Sequence, residues 1–117
     1  MGQEINQLGQ VTPDLYTAKA DGDAALSMIV EPVERFRVVS FTLHSEGAVA
    51  DDVVISVTPL EGEDYETILL NYGEGFDNDL FYVFPEGLYF KKGDVVNIAC
   101  ANVGEVAWTA TFNYEIL

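Results

Sequence analysis

The chain has 117 residues, which is the length of one small domain that buries roughly two-thirds of its extended surface on folding. Hydrophobic residues make up 49% of it, so we expect a packed core and not a disordered chain. The formal net charge of -15 argues against a nucleic-acid partner, because phosphate binding depends on basic side chains. No apolar run has the length of a membrane-spanning helix, so no membrane partner is expected. The single cysteine favours synthesis in a reducing cytoplasm.

The first segment, residues 1–23, is polar and contains three glycines and one proline. It shows no sustained period of 2 or 3.6, so neither a strand nor a helix is predicted there. From residue 24 onward, short runs rich in Val, Ile, Thr, Tyr and Phe alternate with Gly, Pro, Asp and Asn, which is typical of all-β domains. We therefore predict an N-terminal extended arm over residues 1–23 and a β-sandwich domain over residues 24–117.

The apolar runs of this domain predict about eight strands, near residues 24–31, 35–45, 52–59, 65–71, 80–84, 88–91, 94–102 and 106–116. The last run is the clearest, because Trp108, Ala110 and Phe112 share one face and polar residues share the other. No segment has the apolar stripe of an amphipathic helix, so a parallel sheet with crossover helices is excluded. The sequence predicts an antiparallel two-sheet β-sandwich. A jelly roll is the first architecture and an immunoglobulin-like sandwich is the alternative.

Histidine and cysteine, the residues that most often form a catalytic dyad or triad, are few in this sequence, and its acidic residues are too many to single out a catalytic pair. His44 is the only histidine and Cys100 the only cysteine, and no known motif surrounds either of them. His44 is predicted at the end of a strand, and Cys100 shares a buried face with Val96 and Ile98. Structural zinc needs four such ligands, so a histidine and cysteine metal site is excluded by number. We predict that the protein is not an enzyme.

Acidic residues in the predicted loops leave Ca²⁺ as the one candidate metal ion. Asp77 and Asp79 flank an asparagine in a predicted loop, and carboxylate and amide oxygens are the ligands that Ca²⁺ prefers. No twelve-residue calcium loop is present, and a chain with 20 acidic residues forms such clusters by chance. We expect no cofactor, with calcium at Asp77 and Asp79 as the alternative.

Aromatic residues are concentrated in one part of the chain. Seven of the fourteen aromatic residues fall within residues 72–90. In the strand predicted at 80–84, Phe81 and Val83 point away from the face that carries Leu80, so the strand is apolar on both sides. A sheet in a two-layer domain has the core on one side only. The second face is therefore covered by the arm, contacts another chain, or stacks on a sugar. The predicted interface residues are Tyr72, Phe76, Phe81, Tyr82 and Phe84, with Leu8, Val11, Leu15 and Tyr16 of the arm.

Residues 87–98, GLYFKKGDVVNI, contain an aliphatic residue, then a basic residue followed by Gly-Asp, and then alternating apolar residues. Together with the polar arm and the acidic all-β composition, this segment resembles bacteriophage virion proteins of the small jelly-roll type, such as capsid decoration (cement) and head-fibre proteins. The resemblance in composition and organisation covers the whole chain, whereas the resemblance in sequence motif covers about twelve residues. It assigns no catalytic or ligand residue.

The resemblance implies a non-enzymatic virion structural protein. Such a protein is made in the host cytoplasm, assembles as a homotrimer on the outer capsid surface, binds the major capsid protein and stabilises the particle. The alternative is a receptor- or carbohydrate-binding tip domain of a fibre or adhesion protein. In that function Tyr72, Phe76 or Tyr82 would stack on sugar rings, with calcium held by Asp77 and Asp79.

Overall fold

The structure is a computed structural model that describes residues 14–60, 66–73 and 75–117. The side chains at positions 14, 76 and 78 lie outside the described part. The described residues form nine strands, namely β1 Asp14–Gly22, β2 Leu26–Val30, β3 Phe36–Val49, β4 Val53–Thr58, β5 Thr67–Tyr72, β6 Phe76–Val83, β7 Tyr89–Phe90, β8 Val95–Cys100 and β9 Trp108–Ile116. These strands confirm the predicted all-β class.

The strands form two antiparallel sheets. The five-stranded sheet has the order β1-β9-β3-β6, with the short β7 also beside β3, and the four-stranded sheet has the order β2-β8-β4-β5. The hydrogen-bonded pairs β1 with β9, β2 with β8, β3 with β6 and β4 with β5 are nested along the chain. Nested pairs of this kind arise when one long hairpin is rolled into two sheets. This is the jelly-roll arrangement, so the first predicted architecture is confirmed over the immunoglobulin-like one.

The core lies between the two sheets and is built mainly by alternation along the strands. In β2, for example, Leu26, Met28 and Val30 are buried while the two residues between them are exposed. One side chain in two therefore faces the opposite sheet, as the period of a half-buried strand requires. The buried apolar residues are Leu26, Met28, Val30, Phe36, Val38, Phe41, Leu43, Val49, Val53, Ile55, Val57, Leu80, Phe84, Val96, Ile98, Cys100, Ala110 and Phe112.

The boundary of the predicted arm needs correction. Residues 14–22 do not belong to an extended arm, because they form β1, which pairs with β9 along its whole length. The inward side chains of β1 are Tyr16, Ala18 and Ala20, and two small alanines give almost no hydrophobic alternation to detect. The rest of the predicted arm, residues 1–13, lies outside the described residues.

Two strands are longer than the sequence pattern predicts. β3 continues to Val49, and β6 begins at Phe76 instead of at residue 80. Their pairing shifts register between His44 and Ala48, where β3 carries extra residues. His44 therefore lies inside a strand, next to a bulge, and not at the strand end where it was predicted.

Alkaline pH is expected to destabilise the fold through one buried group, Cys100, and one half-buried group, Tyr114. Burial raises the pKa of the Cys100 thiol above its ordinary value, and nearby acidic side chains raise it further against an opposing backbone hydrogen bond. Burial, with a smaller contribution from Tyr16, also raises the pKa of Tyr114. The unfolded chain therefore loses both protons at lower pH than the folded chain. The stabilisation is complete below the unfolded pKa values and is lost as pH rises from them through the raised folded pKa values.

We expect the free energy of unfolding, measured by urea titration, to fall between about pH 8 and about pH 11. The fall should be smaller in Cys100→Ala, which removes the thiol and leaves Tyr114 in place. Identical pH profiles for the two proteins would contradict the contribution of the thiol.

Candidate interaction surface

The outer margin of the five-stranded sheet carries a line of exposed apolar side chains. Phe81, Val83 and Tyr89 are 65%, 59% and 47% exposed, and we call these three residues the β6 surface. Each is fixed by its register on β3, because Phe81 lies opposite Thr42, Val83 opposite Ser40 and Tyr89 opposite Arg37. Because β6 and β7 both lie beside β3 on the same side, the three side chains follow one edge of the sheet on the face that points away from the core.

The opposite face of β6 belongs to the core. Leu80 and Phe84 are buried, and the half-buried Tyr82 packs edge-on against Phe84 with ring centroids 5.1 Å apart. The two-sided apolar character predicted for this strand is therefore confirmed. Phe84, which was predicted at the interface, is only 3% exposed, so its side chain belongs to the core.

The other predicted interface residues are not gathered in one place. Tyr72 is half-buried and packs against the core from β5, in the opposite sheet. Leu15 and Tyr16 are 63% and 41% exposed, but they lie on β1, which β9 and β3 separate from β6. The Tyr16 ring is stacked on that of Tyr114, with centroids 5.5 Å apart. The predicted contributions of Leu8, Val11 and the Phe76 side chain fall outside the described part of the chain.

The middle of the same sheet face is polar, and its groups bond to each other. The Thr17 hydroxyl donates to Asn113 Oδ1 at 2.7 Å, and Asn113 Nδ2 donates to the Ser40 hydroxyl at 2.9 Å. Arg37 Nε donates to the Glu115 carboxylate at 2.7 Å. These groups satisfy one another across β1, β9 and β3, so the apolar part of this face is confined to its two margins.

Charged side chains border the β6 surface. Asp77 and Asp79 are exposed on β6, and His44 Nδ1 lies 2.6 Å from Asp79 Oδ1. On the other side, the Arg35 guanidinium lies over the Tyr89 ring, 5.3 Å from its centroid, in a cation-π contact. The β6 surface therefore has an acidic end, near Asp79, and a cationic end, near Tyr89.

The described residues contain no group of three or more His, Cys, Asp or Glu side chains placed to hold a metal ion. Calcium binding by Asp77 and Asp79 stays a prediction. Across the same part of the chain, His44 and Cys100 belong to different sheets, and Cys100 is only 5% exposed. The structure therefore does not bring His44 and Cys100 together as a base and a nucleophile.

Two members of the β6 surface were missing from the predicted interface. Val83 could have been included from the alternation of its strand, since it lies two residues from Phe81. Tyr89 had no such signal, because it belongs to a strand of two residues whose place beside Arg37 depends on the fold of the whole sheet.

Among the residues that the structure describes, no helix is long and apolar enough to cross a membrane. Comparison of the sequence with protein-family models gave no match, and neither did a search of curated proteins. Among solved structures, the comparison matched a chain of the structure of infectious bursal disease virus, Gx strain, at a TM-score of 0.40 and 11% sequence identity. The match covers 99% of the present chain and 36% of the viral chain.

Proposed function

We propose that the protein is a non-enzymatic structural protein of a virus particle, which decorates the outer capsid surface by binding the major capsid protein. The observation that carries this proposal is the β6 surface, a line of exposed Phe81, Val83 and Tyr89 on an otherwise strongly acidic chain. Exposed apolar side chains in a row are typical of protein contact sites. The proposed assembly is a homotrimer without cofactor, nucleic-acid or membrane partner.

The energetics of the β6 surface favour a protein partner. Complete burial of a large apolar side chain contributes about 1.5–3 kcal/mol, so Phe81 and Val83 together supply a useful part of a binding free energy. The aromatic ring of Phe81 is suited to a central anchor, because a few buried aromatic residues dominate most interfaces. The jelly roll is compatible with this function, since viral capsid domains use it, but lectin domains use it too, so the surface and not the fold carries the proposal.

Phe81→Ser tests this proposal, with Ile29→Ser as the matched control. Ile29 is 70% exposed on the four-stranded sheet, so the control removes an equally accessible apolar side chain from the other side of the sandwich. We expect Phe81→Ser to weaken binding to undecorated capsids by about tenfold or more, and Ile29→Ser to leave it unchanged. The measurement is co-sedimentation with undecorated capsids of the virus to which we propose the protein belongs, after light scattering has given the oligomeric state.

Equal binding by the two variants would contradict the role of the β6 surface. If the wild-type protein does not bind capsids but binds a glycan array, with or without calcium, the proposal is overturned in favour of the receptor-binding alternative. The predicted role of Leu8 and Val11 needs a separate deletion of residues 1–13. That deletion ends before β1, so it removes no strand of the described sheets.

A further inference from the structure

We propose that the exposed edge of β6 accepts a partner segment as an additional antiparallel strand, and that this segment carries two apolar residues followed by two basic residues at alternate positions. The inference rests on the interface role proposed above for the β6 surface, and it names the chemistry of the partner.

The first argument is the position of β6 in its sheet. β6 is eight residues long and ends the order β1-β9-β3-β6, so its second side meets no other described strand. An edge strand of this length presents a row of backbone donors and acceptors to another chain. Strand addition at such an edge is a common way for proteins to bind extended segments.

The second argument is the direction of the backbone groups of β6. The Phe84 N–H donates to the Val39 carbonyl at 2.9 Å, while Val83 lies directly opposite Ser40. In an antiparallel ladder this combination makes Val83 and Ser40 a non-hydrogen-bonded pair, and Phe81 with Thr42 the next one. The N–H and C=O groups of Phe81 and Val83 therefore point away from β3, toward the exposed edge.

The third argument is the order of side chains along β6. Residues two apart share a face, so Asp77, Asp79, Phe81 and Val83 all lie on the outer face in that order. An antiparallel partner meets Val83 first and Asp77 last. Its outer-face residues must therefore read apolar, apolar, basic, basic, because opposite side chains of matched character stabilise the pairing of two strands.

A second copy of the chain is a poor occupant. If two β6 strands paired antiparallel about Leu80, Asp79 would lie opposite Phe81 and Asp77 opposite Val83, which places carboxylates against apolar groups. The formal charge of -15 on each copy adds repulsion. The same carboxylates that oppose self-pairing would attract Lys or Arg, so charge complementarity favours a basic partner of a different sequence.

The other described edges are less suitable. The outward residues of β1 include both Lys19 and Asp21, so this edge would not favour a partner segment of one particular charge. β2 has only five residues, and β5 itself carries the extra residue at the register shift in its pairing with β4, whereas the extra residues at the shift beside β6 lie in β3. Short and bulged edges of this kind are protected against strand addition.

The test uses a synthetic peptide, acetyl-Thr-Val-Thr-Val-Thr-Lys-Thr-Lys-Thr-amide, carrying a fluorescent label for anisotropy titration. We expect it to bind the full chain at low salt and to bind about tenfold more tightly than the reversed sequence, in which the lysines come first. The double variant D77K/D79K should lose about tenfold in affinity, and a peptide with glutamates in place of the lysines should prefer this variant. Equal affinity for both peptide orders, or no binding at all, would overturn the proposal.

Amide hydrogen exchange and N-methylated peptides test the backbone pairing of β6 with the peptide separately from the side-chain contacts. Amide hydrogen exchange of Asp79, Phe81 and Val83 should be fast in the free protein and slow in the complex, whereas that of Leu80 and Tyr82 should be slow in both. N-methylation of the valines and lysines of the peptide should abolish binding, and N-methylation of the threonines should not. Slow exchange at Phe81 and Val83 before any peptide is added would mean that the edge is already occupied, which would overturn the proposal.

The two proposals fail in different ways. If Phe81→Ser loses capsid binding but no peptide binds, strand addition is wrong and the capsid-binding function stands. If the peptide binds as expected but the protein does not bind capsids, strand addition at β6 is supported and the capsid-binding function is wrong.

Discussion

Replacing Phe112 by alanine is expected to lower the free energy of unfolding by about 3–5 kcal/mol. Phe112 is fully buried on β9, in the middle of the five-stranded sheet. Its ring contacts those of Phe84 and Tyr114, with both centroid separations at 6.1 Å, and its backbone lies opposite Phe41. The substitution removes the apolar ring and leaves a cavity that two sheets of fixed spacing cannot close. Domains of this size have about 5–15 kcal/mol in total, so the variant is expected to be close to unfolding.

Urea unfolding followed by circular dichroism measures this loss. The matched control is Thr111→Ala, the adjacent residue of β9, whose side chain lies on the half-exposed outer face. It should change the free energy of unfolding by less than about 1 kcal/mol. A loss of similar size in both variants would mean that the core does not lie where the structure places it.

Replacing Asn102 by alanine is expected to cost about 3 kcal/mol, although this residue lies in a loop. Asn102 is 4% exposed. Its Nδ2 donates to the carbonyls of Ala24 and Val106, each at 2.9 Å, and its Oδ1 accepts from the Val106 N–H at 3.1 Å. Alanine leaves both backbone groups of Val106 without these partners. Ala24 keeps one donor, because Trp108 Nε1 also donates to its carbonyl at 2.8 Å.

The backbone of Asn102 gives a second way to check the result. Its φ of +49° lies in the left-handed region, which asparagine and glycine adopt more readily than alanine. Asn102→Gly should therefore be more stable than Asn102→Ala by about 1 kcal/mol while still losing the side-chain hydrogen bonds. Equal stability of the two variants, measured by the same urea titration, would contradict the backbone part of this account.

Most of the sandwich could be predicted, because burial on one face imposes alternation on every long strand. The run from Trp108 to Ile116 shows this pattern clearly, and it forms β9. β1 was missed for the same reason, since its inward positions include Ala18 and Ala20, whose side chains are too small to mark a buried face. Its assignment depends on β9, a partner almost a hundred residues away along the chain.

The candidate site was predicted only in part. Alternation identified Phe81 as outward-facing, and the structure leaves it exposed. Proximity in sequence then grouped it wrongly with Phe84, which faces the core, and with Tyr72, which lies in the other sheet. Composition shows that aromatic residues are abundant in this part of the chain. It does not show which face or which sheet each one occupies, because that depends on register and strand order.

The strand order has a consequence for synthesis. Among the nine described strands, β8 and β9 are made last, yet each lies inside its sheet, β8 between β2 and β4 and β9 between β1 and β3. In a growing chain on the ribosome, β1 and β3 therefore lack β9, which pairs with both of them. In the same way, β2 and β4 lack β8. Such long-range pairing folds slowly, and unpaired apolar edges favour aggregation in the meantime. We expect that nascent chains ending before residue 108 remain open to proteases and chaperones, and that native structure forms only when β9 has left the ribosome and inserts between β1 and β3.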